Sequence, residues 1–294
     1  MVEKDRKKFY RKENAFKYVA LISACVSILA VIVICFFIFS RGLPTIKEIG
    51  IKNFILGTKW SPTASPPSFG ILPFIISSFY VTLGAVILGV PTGLFTAIFM
   101  AKYCPKKLHS TFTAGINLMA GIPSIIYGFF GLTLVVPVIA KVINKNGLTM
   151  LSAIIILGIM ILPTVISLSQ AAINSVDESY YEGAIGLGAT KERAIFTVVL
   201  PAAKSGIISA IILGMGRAIG ETMAVILVAG GQPRMPKGLF RGVRTMTMNI
   251  VTEMGYAAEL HREALIATGA VLFIFILIIN LLFVISKNRG IKHD

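Results

Sequence analysis

Arg217 and Glu221 lie four positions apart inside an otherwise apolar segment, residues 206–229. A charge at the centre of a bilayer costs about 3 kcal/mol on insertion scales, so a function should account for the pair. Residues four apart share one face of a helix, so we expect Glu221 to hold Arg217 while no ligand is present. The guanidinium stays protonated, and its planar donors fit the oxygens of a phosphate group. The pair therefore predicts an anion path through the membrane or, alternatively, a salt bridge that locks two helices together.

Glu221 also suggests how one oxyanion could be selected. Near neutral pH phosphate keeps a proton that it can donate to a carboxylate, whereas sulfate has none, so we expect Glu221 to favour phosphate. Other polar residues in or beside apolar segments are further candidates for the path, although each alone more often serves helix packing. They are Thr222, Ser124 and Tyr127, followed by Ser77, Ser78 and Thr82.

The composition indicates a membrane protein. Of the 294 residues, 55% are hydrophobic and 14% are charged, whereas soluble domains carry about a quarter charged residues. The formal net charge of +15 would also suit nucleic-acid binding, but the lysines and arginines flank apolar segments instead of covering one face. We therefore expect the lipid bilayer as the surroundings and no nucleic acid as a partner.

Six apolar segments are long enough for a membrane helix, which needs about 20 residues. The sequence thus predicts an all-α integral membrane protein with six transmembrane helices, at residues 18–39, 71–100, 112–140, 148–173, 206–229 and 264–285. The second and third segments exceed the thickness of a bilayer, so we expect tilt or breaks there. The plausible bend sites are Pro73, Pro91, Pro123 and Pro137.

The distribution of lysine and arginine predicts the orientation. Seven of them precede the first span, and the more basic side of a membrane protein faces the cytoplasm. We therefore expect a multi-pass protein of the cytoplasmic (inner) membrane with both termini in the cytoplasm. One predicted outer loop is also basic. It carries Arg234, Lys237, Arg241 and Arg244, and no acidic residue lies between them. An anion funnel, a docking surface for an acidic partner and a solvated loop are the open interpretations.

The segment between the fourth and fifth spans, residues 178–201, differs from a plain polar connection. Its pattern predicts two short amphipathic helices with a glycine turn at residues 186–188, and Pro201 is expected to end the second helix. A short helix with both charges and exposed apolar residues suits docking against a soluble partner. A helix that lies on the lipid headgroups is the alternative.

This segment resembles the coupling loop of ABC-importer permeases. The family pattern is Glu-Ala-Ala, three residues, Gly, nine residues, then Ile-x-Leu-Pro, and it is matched by Glu182, Gly183, Ala184, Gly188, Val198, Leu200 and Pro201. Gly183 and Val198 depart from the pattern, and Gly183 would loosen the start of the helix. The resemblance implies a type I (MetI-like) importer permease fold, in which this loop forms a cytoplasmic coupling helix seated in a cleft of the ATP-binding subunit.

Three further motifs narrow the resemblance. They are AGIPSIIYGFFGL (residues 120–132), GRAIGETMAV (residues 216–225) and FILGTKWSP with the following FGILPFI. Together they are similar to PstC-type phosphate permeases over most of the chain after about Gly42. That similarity implies a heterodimer with a PstA-type permease subunit, a cytoplasmic ATP-binding subunit dimer that uses ATP and Mg, an extracytoplasmic phosphate-binding protein, and inorganic phosphate as the substrate moved by alternating access.

The expected organisation has three parts. Residues 1–70 hold the basic N-terminal segment, the first transmembrane helix and an outer loop; residues 71–286 form the permease domain; and residues 287–294 are a cytoplasmic tail. The sequence has no glycine-rich Gly-Lys-Ser/Thr phosphate loop. We therefore expect a non-ATPase subunit that binds no cofactor and has no catalytic residues.

The remaining polar residues predict no separate chemistry. The three cysteines and three histidines lack metal-ligand spacing, so no metal site is expected. Trp60 is most simply an anchor at the membrane interface, with docking of the binding protein as the alternative. Other functions stay open: a permease for sulfate or molybdate, an ion-driven secondary transporter, which would predict inverted repeats, and a lipid phosphatase, for which a nucleophile and its base are lacking.

Overall fold

The computed structural model describes residues 2–143 and 146–291, with side chains from residue 16 onward except those of residues 283 and 286–291. The side chains of most N-terminal basic residues and of the predicted tail at 287–294 therefore lie outside the described residues. In chain order the elements are α1 (Val2–Ile49), α2 (Ile51–Ile55), β1 (Trp60–Ser61), β2 (Ser68–Phe69), α3 (Leu72–Ile98), π1 (Phe99–Tyr103), α4 (Lys106–Gly121), α5 (Ser124–Phe130), π2 (Gly131–Val135), α6 (Val136–Ile143), α7 (Met150–Asn174), α8 (Glu178–Gly186), α9 (Lys191–Ala194), π3 (Ile195–Val199), α10 (Leu200–Gly220), α11 (Met223–Val228), α12 (Met246–Met254) and α13 (Glu259–Ile291).

The predicted number of spans is confirmed. Among the described residues, six helices are long and apolar enough to cross a membrane: Phe16–Ile49, Leu72–Tyr103, Ser124–Ile143, Met150–Asn174, Lys191–Gly220 and Glu259–Leu282. The protein is thus a multi-pass, almost entirely helical membrane protein. The one sheet among the described residues is an antiparallel pair in which Trp60 lies opposite Phe69.

Two of the predicted spans have the wrong bounds. The span predicted at 112–140 starts inside α4 and crosses a break at Ile122, where the backbone becomes extended before Pro123. The span predicted at 206–229 crosses a second break at Glu221, and the helix that crosses the membrane is Lys191–Gly220. Both errors have one cause: hydropathy does not register a break when the residues on both sides are apolar.

Prolines inside two of these helices are accommodated by π turns. Pro137 and Pro201 lie just after π2 and π3, respectively. Proline lacks the N–H for the usual bond to the fourth residue back, and its ring clashes with that carbonyl. A π turn changes the bonding pattern, as where the Leu200 N–H donates to the Ile195 carbonyl. The prediction that Pro201 ends the second short helix is therefore wrong, because the helix continues through it into the membrane span.

Helix α7 is the central element of the bundle and packs against both α3 and α10. Ile156, Met160 and Ile161 are completely buried. The contact with α3 is close at Gly89, where an added Cβ would lie 2.7 Å from the Gly158 carbonyl oxygen. Small residues allow such backbone approach in membrane bundles. Helix α7 consequently forms a fixed axis that joins the two ends of the bundle.

The two ends of the bundle differ in structure. Helix α7 runs from Met150 at one end, which we call the loop end, to Asn174 at the other, which we call the coupling end. The loop end holds the β pair, residues 229–245 and α12; the coupling end holds α8 and α9. Helices α1 and α13 pack against each other with an ion pair between Arg41 and Glu263 at 3.6 Å near the loop end.

Candidate functional site

The chain leaves the helical conformation at Glu221 and Thr222, between α10 and α11. Glu221 is extended, with φ −69° and ψ 134°, and Thr222 is also outside the helix. The Thr222 hydroxyl donates to the Gly220 carbonyl at 3.3 Å, and the Glu221 carboxylate accepts from the Ala224 N–H at 3.0 Å. These bonds satisfy backbone groups that the two helix ends leave free.

The break explains why two charges occur in this apolar segment. Arg217 is in the last turn of α10, and Glu221 precedes the first turn of α11. A cation is favoured at the C-terminal end of a helix and an anion at the N-terminal end, each by up to about 1 kcal/mol. The two charges therefore lie at the ends of separate helices, and the prediction that they share one helix face is wrong.

Arg217 contacts a different helix. Its Nη1 donates to Thr164 Oγ1 of α7 at 3.3 Å. Among the described residues, no carboxylate lies within 4.0 Å of Arg217. The side chain is partly buried and lines an open cavity of about 790 Å³ to which α13 contributes Asn280. The lining is Thr164, Leu168, Ser209, Ile212, Leu213, Gly216, Arg217, Asn280 and Val284.

The local interactions offset only part of the cost of this charge. Placing an arginine in a membrane helix costs about 3 kcal/mol on insertion scales, whereas the helix C-terminus contributes about 1 kcal/mol and one hydrogen bond about 1 kcal/mol. The remaining cost favours a cavity that water or an anion can enter. Arg217, Thr164 and Asn280 together can therefore offer hydrogen-bond donors to an anion within the bundle.

Thr164 and Asn280 were not predicted as site residues. Each is a polar residue with apolar neighbours on both sides in its helix, which is the signal that could have identified them. Their spacing gives no hint of the association, because they belong to α7 and α13 and meet Arg217 of α10 only in the folded bundle.

Tyr127 and Ser124 lie at the other break. The Tyr127 hydroxyl donates to the Met119 carbonyl at 2.7 Å, which links α5 to the end of α4 across Pro123. Ser124 is partly buried at the start of α5. Helix α5 packs closely on α11, since an added Cβ at Gly128 would lie 2.8 Å from Ala224 Cα. The two breaks are thus brought together, but no hydrogen bond joins Tyr127 or Ser124 to Arg217 among the described residues.

Hydroxyl groups at the loop end hold the α10–α11 break in place. The Thr247 hydroxyl of α12 donates to the Glu221 carbonyl at 3.0 Å. Helix α12 is itself attached to α3, since the Met246 N–H donates to Ser78 Oγ at 3.0 Å. Ser77, another candidate for the path, donates to the Pro73 carbonyl at 2.6 Å. These two serines therefore bond to the backbone in this structure.

The first of the two short helices predicted between the fourth and fifth spans is confirmed as α8, whereas the second begins at α9 and continues into the span Lys191–Gly220. Asp177 caps α8 by accepting from the Ser179 N–H at 2.9 Å. Thr190 caps α9 by accepting from the Arg193 N–H at 3.3 Å. Gly188 has φ +87°, a left-handed conformation that favours glycine at this turn.

The turn presents a surface that has no covering in this chain. Tyr180, Ile185 and Leu187 are exposed, and Leu187 is 93% exposed. With the exposed Glu182 we call these residues the coupling surface. Around Gly183 and Gly188 the space is open, because an added Cβ would meet nothing within 4 Å. Several exposed apolar side chains grouped at a structured turn are typical of a contact site for another protein.

The base of the coupling surface is attached firmly to the bundle. Lys102 of π1 lies 3.7 Å from the Glu178 carboxylate, and the Lys191 ammonium lies 4.5 Å from the centre of the Tyr103 ring. Ile195 is completely buried beneath α9. Since α9, π3 and α10 run on as one helix, Leu200 and Pro201 lie on the same helix as Arg217, and this helix begins just after the coupling surface.

A buried cluster at the loop end was missed by the sequence reasoning. Glu253 accepts from the Trp60 indole N–H at 2.8 Å and lies 2.8 Å from His261 Nε2. Its other carboxylate oxygen forms an ion pair with Arg244. Trp60 is only 7% exposed, so the prediction of an interface anchor is wrong. Trp60 and Glu253 are 193 positions apart, and no local motif could have linked them.

The fold and the broken helix define a membrane-embedded transport component with a docking surface at one end. Residues 89–289 match the family described as "Binding-protein-dependent transport system inner membrane component". The match covers more than half of the chain, and the protein therefore belongs to this family. The predicted boundary between residues 70 and 71 stays a prediction.

Relatives and solved structures agree with this assignment. The chain is 37% identical to the probable ABC transporter permease protein YqgH of Bacillus subtilis, covering 89% of this chain and 88% of the relative. It is 32% identical to the probable phosphate transport system permease protein PstC of Methanocaldococcus jannaschii, covering 98% and 97%. The MetNI methionine ABC transporter in an inward-facing conformation shares the fold at a TM-score of 0.58 and 18% identity, covering 76% of this chain and 95% of that one. The predicted MetI-like permease fold is thus confirmed.

Proposed function

We propose that the protein is the PstC-type permease subunit of an ABC importer that carries inorganic phosphate across the cytoplasmic membrane. Several relatives at about 30% identity bear the name phosphate transport system permease protein PstC, which supports this substrate. The observation that carries the proposal is Arg217, a partly buried cation in an open intramembrane cavity without a carboxylate within 4.0 Å among the described residues.

The proposed complex supplies what this chain lacks. A cytoplasmic ATP-binding subunit dimer uses ATP and Mg, so this chain acts as a non-enzymatic subunit that needs no cofactor of its own. The exposed Leu187 and Tyr180 support docking of that dimer on the coupling surface. A PstA-type permease forms the heterodimer, and an extracytoplasmic phosphate-binding protein delivers phosphate at the loop end. In this arrangement the coupling end and both termini are cytoplasmic.

Arg217 and its neighbours form a transient phosphate site in the proposed mechanism. The guanidinium, the Thr164 hydroxyl and the Asn280 amide offer donors to the phosphate oxygens. The anion must also leave, so a site with few partners suits transport better than a tight one. Closure of the ATPase dimer moves the coupling surface, and the helix Lys191–Gly220, which begins just after this surface, transmits the movement to Arg217.

The residues at the two breaks have separate roles in this proposal. Glu221 holds the start of α11 and selects a phosphate that still carries a proton. Thr222 offers a hydroxyl beside Glu221, and Ser124 and Tyr127 line the path where α5 packs on α11.

Phosphate uptake by an Arg217→Gln variant tests the proposal. Initial uptake of radiolabelled phosphate is measured in cells whose only high-affinity phosphate system contains this chain, at matched membrane levels. We expect at least a tenfold loss, about the effect of one charge-assisted contact, while the ATPase subunits still copurify. Arg262→Gln removes an exposed arginine and serves as the control. Unchanged uptake in Arg217→Gln would mean that this residue plays no part in transport.

A permease for sulfate or molybdate is the second candidate, because the same three donors suit any tetrahedral oxyanion. Competition of each unlabelled anion against labelled phosphate separates the two. An ion-driven transporter would continue uptake after ATP depletion, whereas the proposed importer stops.

A further inference from the structure

A second cavity, separate from that of Arg217, opens at the loop end of the bundle. Its volume is about 570 Å³, which lies within the usual range of about 300–1,000 Å³ for small-molecule sites. It is formed by the end of α6, Asn146 and Leu148 before α7, and residues 230–242. Four of its lining residues carry polar side chains: Asn146, Gln232, Lys237 and Arg241.

The charge in this cavity is positive and lacks a counterion. Lys237 and Arg241 are exposed, and neither forms an ion pair among the described residues. No acidic residue is among the described residues that line the cavity, and none occurs in the sequence of residues 230–245. Arg244 of the same segment behaves differently, since Glu253 binds it in the buried cluster. One arginine of the basic loop thus stabilises the fold, whereas two cations face the cavity.

The backbone that carries these cations is folded and fixed. The Met150 N–H donates to the Arg241 carbonyl and the Leu151 N–H to the Leu239 carbonyl, both at 2.9 Å. The free N–H groups at the start of α7 are therefore occupied by this segment. Gly230 is required for the close approach, because its φ is +83° and an added Cβ would lie 2.7 Å from the Leu148 carbonyl oxygen. The backbone at Leu239 and Arg241 is thus bonded to the start of α7, while the side chains of Lys237 and Arg241 stay exposed.

The two amides of the cavity complete a set of donors. Asn146 Oδ1 already accepts from the Leu148 N–H at 3.0 Å, which leaves its NH₂ group as a donor. Gln232 is exposed and offers a second NH₂ group. Two cations and two amides suit an oxyanion with several acceptor oxygens, and they suit a cation or an apolar ligand poorly.

The cavity lies close to the broken helix. Gly230 lines it, and only the six residues of α11 and Ala229 separate Gly230 from Thr222. At 1.5 Å per helical residue this separation is on the order of 10 Å. An anion held in the cavity is therefore about one Debye length from the α10–α11 break at physiological salt.

We propose that Lys237 and Arg241, with the amides of Gln232 and Asn146, form an outer binding site for inorganic phosphate. This proposal rests on the proposed function, in which the loop end faces outward. The site receives phosphate at the outer face and raises its local concentration near Arg217. Its exposed cations bind weakly, which allows the anion to move on.

Direct binding tests the site without transport. The permease complex with its ATPase subunits is placed in nanodiscs of neutral glycolipid, without ATP and without binding protein. Equilibrium dialysis with radiolabelled phosphate then measures binding in wild type and in Lys237→Gln/Arg241→Gln. We expect at least a tenfold weaker affinity in the double variant, weaker wild-type binding at high salt, and outer-site binding that persists in Arg217→Gln.

Two matched variants control for charge and folding. Lys52→Gln/Lys59→Gln removes two exposed lysines from another segment at the loop end and should bind phosphate as wild type does. Lys237→Arg/Arg241→Lys keeps both charges in the cavity and should retain most of the affinity. Equal phosphate affinity in wild type and the Gln double variant overturns the proposal, as does equal weakening in the Lys52/Lys59 variant.

Further measurements identify the natural occupant of the cavity. Addition of phosphatidylglycerol to the nanodiscs should leave phosphate binding unchanged; displacement would assign the cavity to lipid headgroups and overturn the proposal. A Gln double variant that keeps phosphate affinity but loses ATPase stimulation by the binding protein would show a protein-docking surface instead. If cells take up labelled sulfate and not phosphate through this system, the proposed function fails. The outer site for phosphate is then overturned only if dialysis also shows no phosphate binding at Lys237 and Arg241.

Discussion

Arg217 and Glu221 are two charged residues in an apolar segment, and they lie at the ends of separate helices. The cost of a charge in an apolar segment identified both as functional candidates. Their spacing suggested a pair on one helix, but Glu221 instead accepts from the Ala224 N–H across a break. A local spacing rule assumes a continuous helix, and residues 216–225 contain no proline that would have signalled the interruption.

Glu221→Gln separates charge from capping. The glutamine oxygen can still accept from the Ala224 N–H, so α11 should remain intact. The negative charge that repels sulfate is lost, and we expect discrimination for phosphate over sulfate to fall by about tenfold or more. Uptake of labelled phosphate against increasing unlabelled sulfate measures this. Glu221→Ala, which also removes the cap, is the comparison; unchanged discrimination in Glu221→Gln would remove Glu221 from selectivity.

Glu253→Gln should destabilise the loop end. Glu253 is 6% exposed and binds Arg244 and the Trp60 indole, and removing one partner of a buried pair costs about 3 kcal/mol. We expect a lower unfolding temperature in detergent. Trp60 is the only tryptophan, so its fluorescence should shift to the red as water reaches it.

Glu263→Gln is the control substitution for Glu253→Gln. Glu263 pairs with Arg41 at 3.6 Å, but Arg41 is 62% exposed, and such a surface pair contributes only about 0–1 kcal/mol. Equal effects of the two substitutions would contradict a stabilising role for the buried cluster.

At the scale of elements, α8 and α9 were predictable because their signals are local. Asp177 and Thr190 are caps, and Gly188 occupies the left-handed turn between the helices. The continuation of α9 through π3 into α10 was not predictable, because proline normally ends a helix. Only the changed bonding pattern of the π turn allows Pro201 to lie within the span.

Leu187→Asp tests the coupling surface as an element. Leu187 is 93% exposed in the chain, so the substitution leaves the bundle intact but puts a charge into an apolar contact. We expect at least about a tenfold loss of ATPase stimulation by the phosphate-bound binding protein, the effect of a central interface residue. Leu187→Met keeps the apolar contact and should be close to wild type. Full stimulation in Leu187→Asp would place the ATPase contact elsewhere.

The Asp177 cap predicts how α8 responds to pH. Hydrogen bonds from Ser179 hold the pKa of Asp177 below its ordinary value of 3.8. Because the pKa of Asp177 is lower in the folded state, the cap stabilises the fold at pH values above the ordinary pKa. This stabilisation is lost as the pH falls through the lowered pKa. ATPase stimulation should therefore show no step from Asp177 between about pH 5 and pH 8. Asp177→Asn should keep the cap, whereas Asp177→Ala should reduce stimulation across that whole range; a wild-type step absent from Asp177→Asn would contradict this.

At the scale of the whole molecule, the two ends of the bundle were not equally predictable. Six spans follow from hydropathy alone, because each must be apolar over about 20 residues. The buried cluster around Glu253 joins the first loop to the last, and its parts meet only after α1, α3 and α13 have packed. This cluster fixes the loop end, whereas the coupling surface is exposed. A rocking movement that starts at the coupling end would therefore pivot about the loop end.

The proposed orientation can be tested by labelling single cysteines. Cys25, Cys35 and Cys104 are first replaced by serine, and Leu187→Cys and Arg234→Cys are then made separately. Both residues are exposed, and α10 and α11 lie between them. A membrane-impermeant maleimide should label Arg234→Cys in intact spheroplasts and Leu187→Cys only after permeabilisation, since the coupling end is proposed to face the ATPase in the cytoplasm. Labelling of Leu187→Cys in intact spheroplasts would show the opposite orientation. The loop end would then face the cytoplasm, which is the side that the positive charge of residues 234–244 alone suggests.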